Sequence, residues 1–371
     1  MDNNNIIIDN NNNYNNDILF FSIWRNLYIL SEIQRHIRLY NENEIIKINQ
    51  SMDQLRYHPH RRYATRIIIS INEALEPHGQ IIPFDIKSVF PPGVTNINYL
   101  NQEITPHTLP PSLANLTLGY NQDFAIGTFP KSLTFLNLIS FNKTITPGSF
   151  SSIVKLILPS FDQPLKAGDL PISLEELTLF SFDQPLQPNV LPPQLKKLVV
   201  IFFNQPLSPG VFPESITDLT MDFFDHPLSN SLSKLHSLNT LNLKNFDEDI
   251  SMETFPNSIT NMSFDNFNQP LKPNVLPPSI TKLILPNYYH HPLEPKEIPP
   301  NVQHLDLGSY NHKLGKNILP NTLKYLSICS NELSENDLPS SITKLNLKVC
   351  DPNTQLQIPS LSEIIKRMKK Q

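Results

Sequence analysis

The chain reads as a repeat solenoid built from short parallel strands, one per coil, joined by extended and turning return segments. Three observations carry this reading. From about residue 90 to residue 364 one pattern returns every 19 to 22 residues, the mark of stacked coils. At the centre of each copy two apolar residues flank a single intervening one, the period-two alternation of a strand with one buried face. The 371 residues include 35 prolines and only 9 glycines. So many prolines exclude a helical bundle, because proline inside a helix removes a hydrogen bond and clashes with the preceding turn. So few glycines leave little room for a glycine-rich nucleotide fold.

Residues 1–16 are mostly asparagine and read as a disordered low-complexity tail. Residues 17–66 read as a helical segment. A dense apolar block runs from Ile18 to Leu30, Ser31-Glu32-Ile33-Gln34 matches a capping box, and Ile33 and Ile37 repeat at helical spacing. The pattern predicts two short helices joined near Ser31. They would cap the solenoid, whose open end otherwise exposes core. Arg56, His58, His60, Arg61, Arg62 and Arg66 form a local basic cluster, most simply a solvated face, and Arg66 to Ile69 read as a strand of a degenerate first coil.

The solenoid itself is expected over residues 67–359. The first apolar residue of each central pair falls at Ile97, Leu116, Leu136, Leu156, Leu177, Leu198, Leu219, Leu241, Met262, Leu283, Leu305, Leu326 and Leu345, thirteen copies in all, with Ile364 beginning a worn fourteenth. Strands stacked in parallel ~4.8 Å apart make a spine of roughly 60 Å. The return segments carry Leu-Pro-x-Ser-Leu, as at Leu170 to Leu174. Proline fixes φ and pushes its predecessor toward extended geometry, so the return side is expected to be extended and not α-helical. Residues 360–371 read as a C-terminal capping helix whose Lys366, Arg367, Lys369 and Lys370 suit the negative end of a helix dipole.

Nine consecutive copies carry an aromatic residue five positions after the first leucine: Phe141, Phe161, Phe182, Phe203, Phe224, Phe246, Phe267, Tyr288 and Tyr310. Side chains that return to one spot in every coil form a stacked ladder. Asn or Asp follows the aromatic in eight of the nine, and Gln-Pro or His-Pro often comes next, as at Gln163-Pro164 and His226-Pro227. This frame, seen in Phe203-Asn204-Gln205-Pro206 and Phe267-Asn268-Gln269-Pro270, resembles the FNIP repeat, a branch of the leucine-rich-repeat solenoids found in proteins of social amoebae and some giant viruses. The resemblance implies a concave face that holds protein partners. It also suggests an F-box-like role for residues 17–66, recruiting a ubiquitin ligase.

No catalytic motif is present: no phosphate loop, no Gly-x-Ser-x-Gly and no His-Glu-x-x-His. No cofactor and no catalytic or metal-ligating set is assigned, and the chain is read as non-enzymatic. Net charge is −5, which makes no electrostatic case for nucleic acid. Without a leader or a long apolar run, the expectation is an intracellular, cytoplasmic protein, monomeric apart from its partner. Cys329 and Cys350 read as free thiols of a reducing compartment. Aspartates in the same slot of adjacent coils, Asp162 with Asp183 and Asp225 with Asp247, are the one odd feature. Either backbone amides and water screen them, or a calcium ion sits between them. The face flanking the buried leucines comprises Phe135, Lys155, Glu176, Lys197, Val199, Asp218, Lys282, His304, Asp306, Tyr325 and Lys344. Its mixed charge and partly apolar character suit a protein or peptide.

Overall fold

The computed structural model describes residues 26–70, 90–101, 103–329, 333 and 338–347. It contains helix α1 (Leu27–Asn43), strand β1 (Ile45–Ile48), a short helix α2 (Asp53–Arg56), a 3₁₀ turn (Arg61–Tyr63) and strand β2 (Arg66–Ile69). Thirteen further strands follow: β3 (Asn96–Leu100), β4 (Asn115–Leu118), β5 (Phe135–Leu138), β6 (Lys155–Leu158), β7 (Glu176–Leu179), β8 (Lys197–Val200), β9 (Asp218–Met221), β10 (Thr240–Leu243), β11 (Asn261–Phe264), β12 (Lys282–Ile284), β13 (His304–Asp306), β14 (Tyr325–Ile328) and β15 (Lys344–Leu347). All fifteen strands form one sheet in sequence order. Pairing is parallel, and the first leucines lie opposite one another, Leu156 with Leu177 and Leu177 with Leu198.

Each of the thirteen expected strands is present. Their alternation works as the residue types require: Leu177 and Leu179 are fully buried while Glu176 and Thr178 lie half-exposed on the other side. The return segments are turns and extended chain. In the Leu-Pro-x-Ser-Leu stretch the leucine N–H closes a turn on the proline carbonyl, as from Leu174 to Pro171 at 3.1 Å and from Leu195 to Pro192 at 3.1 Å. The serine hydroxyl donates across to the preceding coil: Ser173 to the Ile153 carbonyl at 2.8 Å, Ser215 to Leu195 at 2.6 Å and Ser279 to Ile259 at 2.6 Å. The scarce glycines have a defined use. Gly127, Gly148, Gly168 and Gly210 occupy one left-handed turn position, which Asn189, Asn274 and Asn317 fill in other coils.

The N-terminal segment departs from the expected pair of helices. Residues 17–25 lie outside the described ones, as do the asparagine tail, Ile364 and the expected C-terminal helix. Across the expected junction at Ser31 runs one continuous helix, capped by Asn26, whose Oδ1 accepts from the N–H groups of Tyr28 (3.1 Å) and Ile29 (3.2 Å). Ser31 is not a cap. Its hydroxyl donates back to the Tyr28 carbonyl at 2.8 Å, so it sits inside the helix without interrupting it. The segment also holds β1, which pairs with β2 through Ile46 to Ile67 and Ile48 to Ile69. Ile46, Ile48, Leu55, Ala64, Ile67 and Ile69 are all buried, so the core runs on past β3 to this end. Helix α1 buries none of its residues; it meets the 3₁₀ turn where His36 Nδ1 contacts the Tyr63 hydroxyl.

Cys329 corrects a second expectation. It is buried and disulfide-bonded. The other cysteine of the chain, Cys350, lies outside the described residues. The cysteine argument for a reducing compartment falls away. Among the described residues, no helix is long and apolar enough to cross a membrane.

Candidate binding face

The sheet is held rigid from behind by two ladders that run through the turns. Phe141, Phe161, Phe182, Phe203, Phe224, Phe246 and Phe267 stack in order, with ring centroids 5.9, 6.1, 6.2, 6.2, 6.4 and 6.3 Å apart and interplanar angles of 7° or less. Each such pair adds ~0.5–1.5 kcal/mol beyond the area it buries. At the N-terminal end the coil of β4 lacks the aromatic in its usual slot, and Phe124 takes its place against Phe141 at 5.3 Å. Phe129 and Phe150 close the cluster.

Tyr288 does not belong to this ladder. It is 69% exposed, and its neighbour Tyr289, 1% exposed, fills the slot. An extra residue in the turn after β12 shifts the buried position by one. Tyr310 is buried as expected. The two buried tyrosines hydrogen-bond the preceding coil: the Leu271 N–H donates to the Tyr289 hydroxyl at 2.9 Å, and the Leu293 N–H donates to the Tyr310 hydroxyl at 2.8 Å. Burial pushes the Tyr289 phenol up to about 12 and raises Tyr310 in the same direction.

Beside the rings runs a polar ladder that accounts for the aspartates. Asp162 Oδ1 accepts from the Asp183 N–H at 2.9 Å and from Gln184 Nε2 at 3.0 Å. Asp183 Oδ1 accepts from the Asn204 N–H at 2.8 Å and from Gln205 Nε2 at 3.1 Å. Asn142 Oδ1 holds Asp162 and Gln163 in the same way. Asp225 accepts from the Asp247 N–H at 3.0 Å, and Asp247 from the Asn268 N–H at 2.6 Å. One acceptor oxygen is all the slot demands, so Asn and Asp interchange. Where histidine replaces glutamine, its ring reaches a carbonyl of the previous coil, His226 to Asn204 at 3.0 Å and His291 to Asn268 at 2.8 Å. Among the described residues no three Asp, Glu, His or Cys side chains converge as a metal cluster.

On the other side of the sheet the in-register pairing turns one position per coil into a continuous row. Phe135, Lys155, Glu176, Lys197 and Asp218 follow one another, then Thr240 and Asn261, then Lys282, His304, Tyr325 and Lys344. Val199 and Asp306 lie in the parallel row two residues further along their strands. None of these eleven sequence-derived face residues is buried. Lys155 pairs with Glu176 at 2.7 Å, and at the strand-start edge Lys196 pairs with Glu175 at 2.9 Å. Further along, the Lys244 ammonium meets Asp222 at 2.6 Å, a hydrogen bond that raises its pKa. His304 and Tyr325 stack with centroids 4.1 Å apart, and burial, helped by the Lys282 charge, lowers the His304 pKa.

The face includes residues that the strand pattern alone does not reach. Phe180, Phe202 and Phe223 are exposed beyond the strand ends, and the last two stack at 4.8 Å. The signal for two of them is the doublets Phe202-Phe203 and Phe223-Phe224, in which one ring goes into the ladder and the other faces outward.

The circular leucine-rich-repeat protein CroV588 is similar in structure, with a TM-score of 0.58 and 24% identity, over 82% of this chain and 60% of its own. The leucine-rich-repeat domain of APL1B gives 0.44 at 15% identity over 90% and 94% of the two chains. Internalin InlF from Listeria monocytogenes gives 0.42 at 14% identity over 65% and 84%. The first of these supports a leucine-rich-repeat-like fold; the chain spans about three fifths of that protein's length. No curated protein matches the chain. The FNIP Repeat pattern matches residues 120–160, 161–199, 203–235, 246–288 and 289–331. With more than half its length matched, the chain belongs to the FNIP repeat family.

Proposed function

We propose that the protein is a non-enzymatic scaffold that binds a protein or peptide along the outer, concave face of its sheet. The observation that carries this reading is the unbroken row from Phe135 to Lys344, with charged, aromatic and small polar groups on strands fixed by the buried ladders. A rigid backbone limits the entropy lost on binding, and a mixed surface offers both apolar contact and hydrogen bonding. The test uses the immobilised full chain to capture partners, read by mass spectrometry. Face variants Phe135→Asp, Lys197→Glu and Tyr325→Ala are compared with Lys234→Glu on the exposed return side. The reading expects the face variants to lose a partner that Lys234→Glu retains, with melting temperatures unchanged. Identical partner sets for all four would overturn it.

A second reading concerns helix α1, which leaves Leu27, Tyr28, Ile37 and Tyr40 exposed. Exposed apolar side chains, Ile37 and Tyr40 one turn apart among them, suit recruitment of a helical adaptor, in keeping with an F-box-like role. That reading expects Ile37→Asp with Tyr40→Asp to lose ligase subunits from the captured set while the face partner stays. If no ligase subunit comes down with the unaltered chain, it fails.

A further inference from the structure

Charge is distributed unevenly along the face. Over β6 to β9 and the residues just before those strands, Lys155, Lys196 and Lys197 stand against Glu175, Glu176 and Asp218, and two of these pairs are closed ion pairs. β11 presents only Asn261 and Ser263 outward. From β12 to β15 the balance breaks. Lys282 and Lys344 lie in the row itself, and Lys324 precedes β14 at its edge. None of the three is in an ion pair among the described residues. The one carboxylate among the outward strand positions there, Asp306, already accepts from the Gly308 N–H at 2.9 Å.

Between the two row lysines sit the stacked rings of His304 and Tyr325, 4.1 Å apart and 15° from parallel. The Lys344 ammonium lies 5.4 Å from the Tyr325 centroid. The order Lys282, His304, Tyr325, Lys344 is set by the register of four adjacent strands. With its pKa lowered, His304 is neutral at neutral pH, so the middle of the row is an uncharged aromatic platform with a cation at each end.

We propose that this part of the face binds an extended acidic peptide whose two carboxylates, about four residues apart, flank an apolar or aromatic residue. The inference rests on the reading of the sheet's outer face as the binding face. Its spacing follows from geometry. β12 and β15 are three strand intervals apart, about 14 Å at ~4.8 Å each, and an extended peptide rises ~3.4 Å per residue. The flanked residue then lies over the His304–Tyr325 rings. Single-stranded nucleic acid would also use cations and stacking rings. Here the cations are few, an aspartate interrupts them, and the chain has no arginine between Arg66 and Arg367. Arginine, whose planar fork both pairs with phosphate and stacks on bases, is therefore missing from the face, which carries only lysines as cations.

The experiment measures fluorescence anisotropy of a labelled Gly-Ser-Glu-Ser-Phe-Ser-Glu-Ser-Gly peptide with the full chain at low salt. Controls are the same peptide with lysine for glutamate, and a labelled oligouridine. Saturable binding of the acidic peptide alone is expected, weakening as salt rises. The double variant Lys282→Glu with Lys344→Glu should weaken it at least tenfold, and Tyr325→Ala severalfold. Lys234→Glu on the exposed return side should leave it unchanged. Each variant is first shown to keep the parent's circular dichroism and melting temperature. Equal binding by the charge-reversed variant, absence of saturation at millimolar peptide, or tighter binding of oligouridine would each overturn the proposal. Capture of the natural partner separates the two readings. If it is lost with Phe135→Asp or Lys197→Glu but survives Lys282→Glu with Lys344→Glu, the face binds its partner elsewhere and only this inference fails. If neither set affects capture, both fail.

Discussion

Tyr289 works at both ends of its hydroxyl. The oxygen accepts from the Leu271 N–H at 2.9 Å and donates to the Gln269 carbonyl at 3.2 Å, so a tyrosine in a phenylalanine slot satisfies buried backbone of the coil before it. Tyr289→Phe keeps the packing but strands the Leu271 amide, and is expected to cost about 1–3 kcal/mol in urea unfolding at pH 8. Burial lifts the phenol from 10 to about 12. A raised folded-state pKa means its stabilisation is complete below pH 10 and is lost as pH climbs from 10 toward 12, a slope that the phenylalanine variant should lack. His304 behaves in the opposite sense. It faces Lys282, Asp306, Tyr325 and Lys344, and its pKa lies below the usual 6.5 through burial and those lysines. Stability should therefore fall as pH drops below 6.5, and His304→Asn should flatten part of that decline; His58, lowered in the same direction, accounts for another part. A histidine NMR titration that leaves His304 at 6.5 or above would refute this.

At the scale of the coil, the aromatic and polar ladders explain why the repeat keeps its residues. The ring buries the turn, the acceptor oxygen ties the next turn's N–H, and the glutamine amide adds a second donor to the same oxygen. The slot needs an acceptor and is indifferent to charge. Asp183→Asn is expected to change stability by less than about 0.5 kcal/mol, whereas Asp183→Ala, which frees the Asn204 N–H and Gln205 amide, should cost about 1–3 kcal/mol. Thermal unfolding of both variants decides it; equal losses would mean the carboxylate acts through charge. The acceptor role was not legible in one copy of the repeat, because Asp after Phe could equally have bonded its own turn. Stacking coils one above another sends the oxygen to its neighbour.

Across the whole molecule each coil shares its core with the next, so the ends decide how much is left exposed. Removing residues up to Asn43 takes away a helix none of whose residues is fully buried, and the sheet is expected to stay folded, with the parent's oligomeric state and a melting temperature within a few degrees of the parent's. A chain starting at Ile67 is a different matter. It loses β1 and the buried Ile46, Ile48 and Leu55, and bares the edge of β2 and its apolar face. An exposed edge over a hydrophobic core invites association, so this shorter chain should aggregate or melt well below the parent. Light scattering and circular dichroism on the two chains test both statements.

The architecture was legible because it depends on quantities a sequence carries openly: a period, a two-residue alternation, and prolines placed where a helix cannot pass. Thirteen strands, their parallel stacking and the row of outward residues from Phe135 to Lys344 follow from that arithmetic. What escaped it depended on choices between near-equal local options. Tyr288 and Tyr289 are chemically alike, and only the packing of an extra residue in that turn decides which ring goes inward. Asn26 and Ser31 are both competent caps, and the helix starts at the earlier one because a serine inside a helix can return its hydroxyl to a carbonyl three residues back. β1 went unread because Ile46 and Ile48 alternate for only four residues and the 30-residue step from Ile67 to Ile97 breaks the period before the regular copies begin; pairing with β2 is what makes them a strand. The charges of the face were all visible in the sequence. Which of them cancel one another and which are left free was decided only when neighbouring coils were brought into register, since an ion pair is a property of two side chains' positions in space and not of either residue alone.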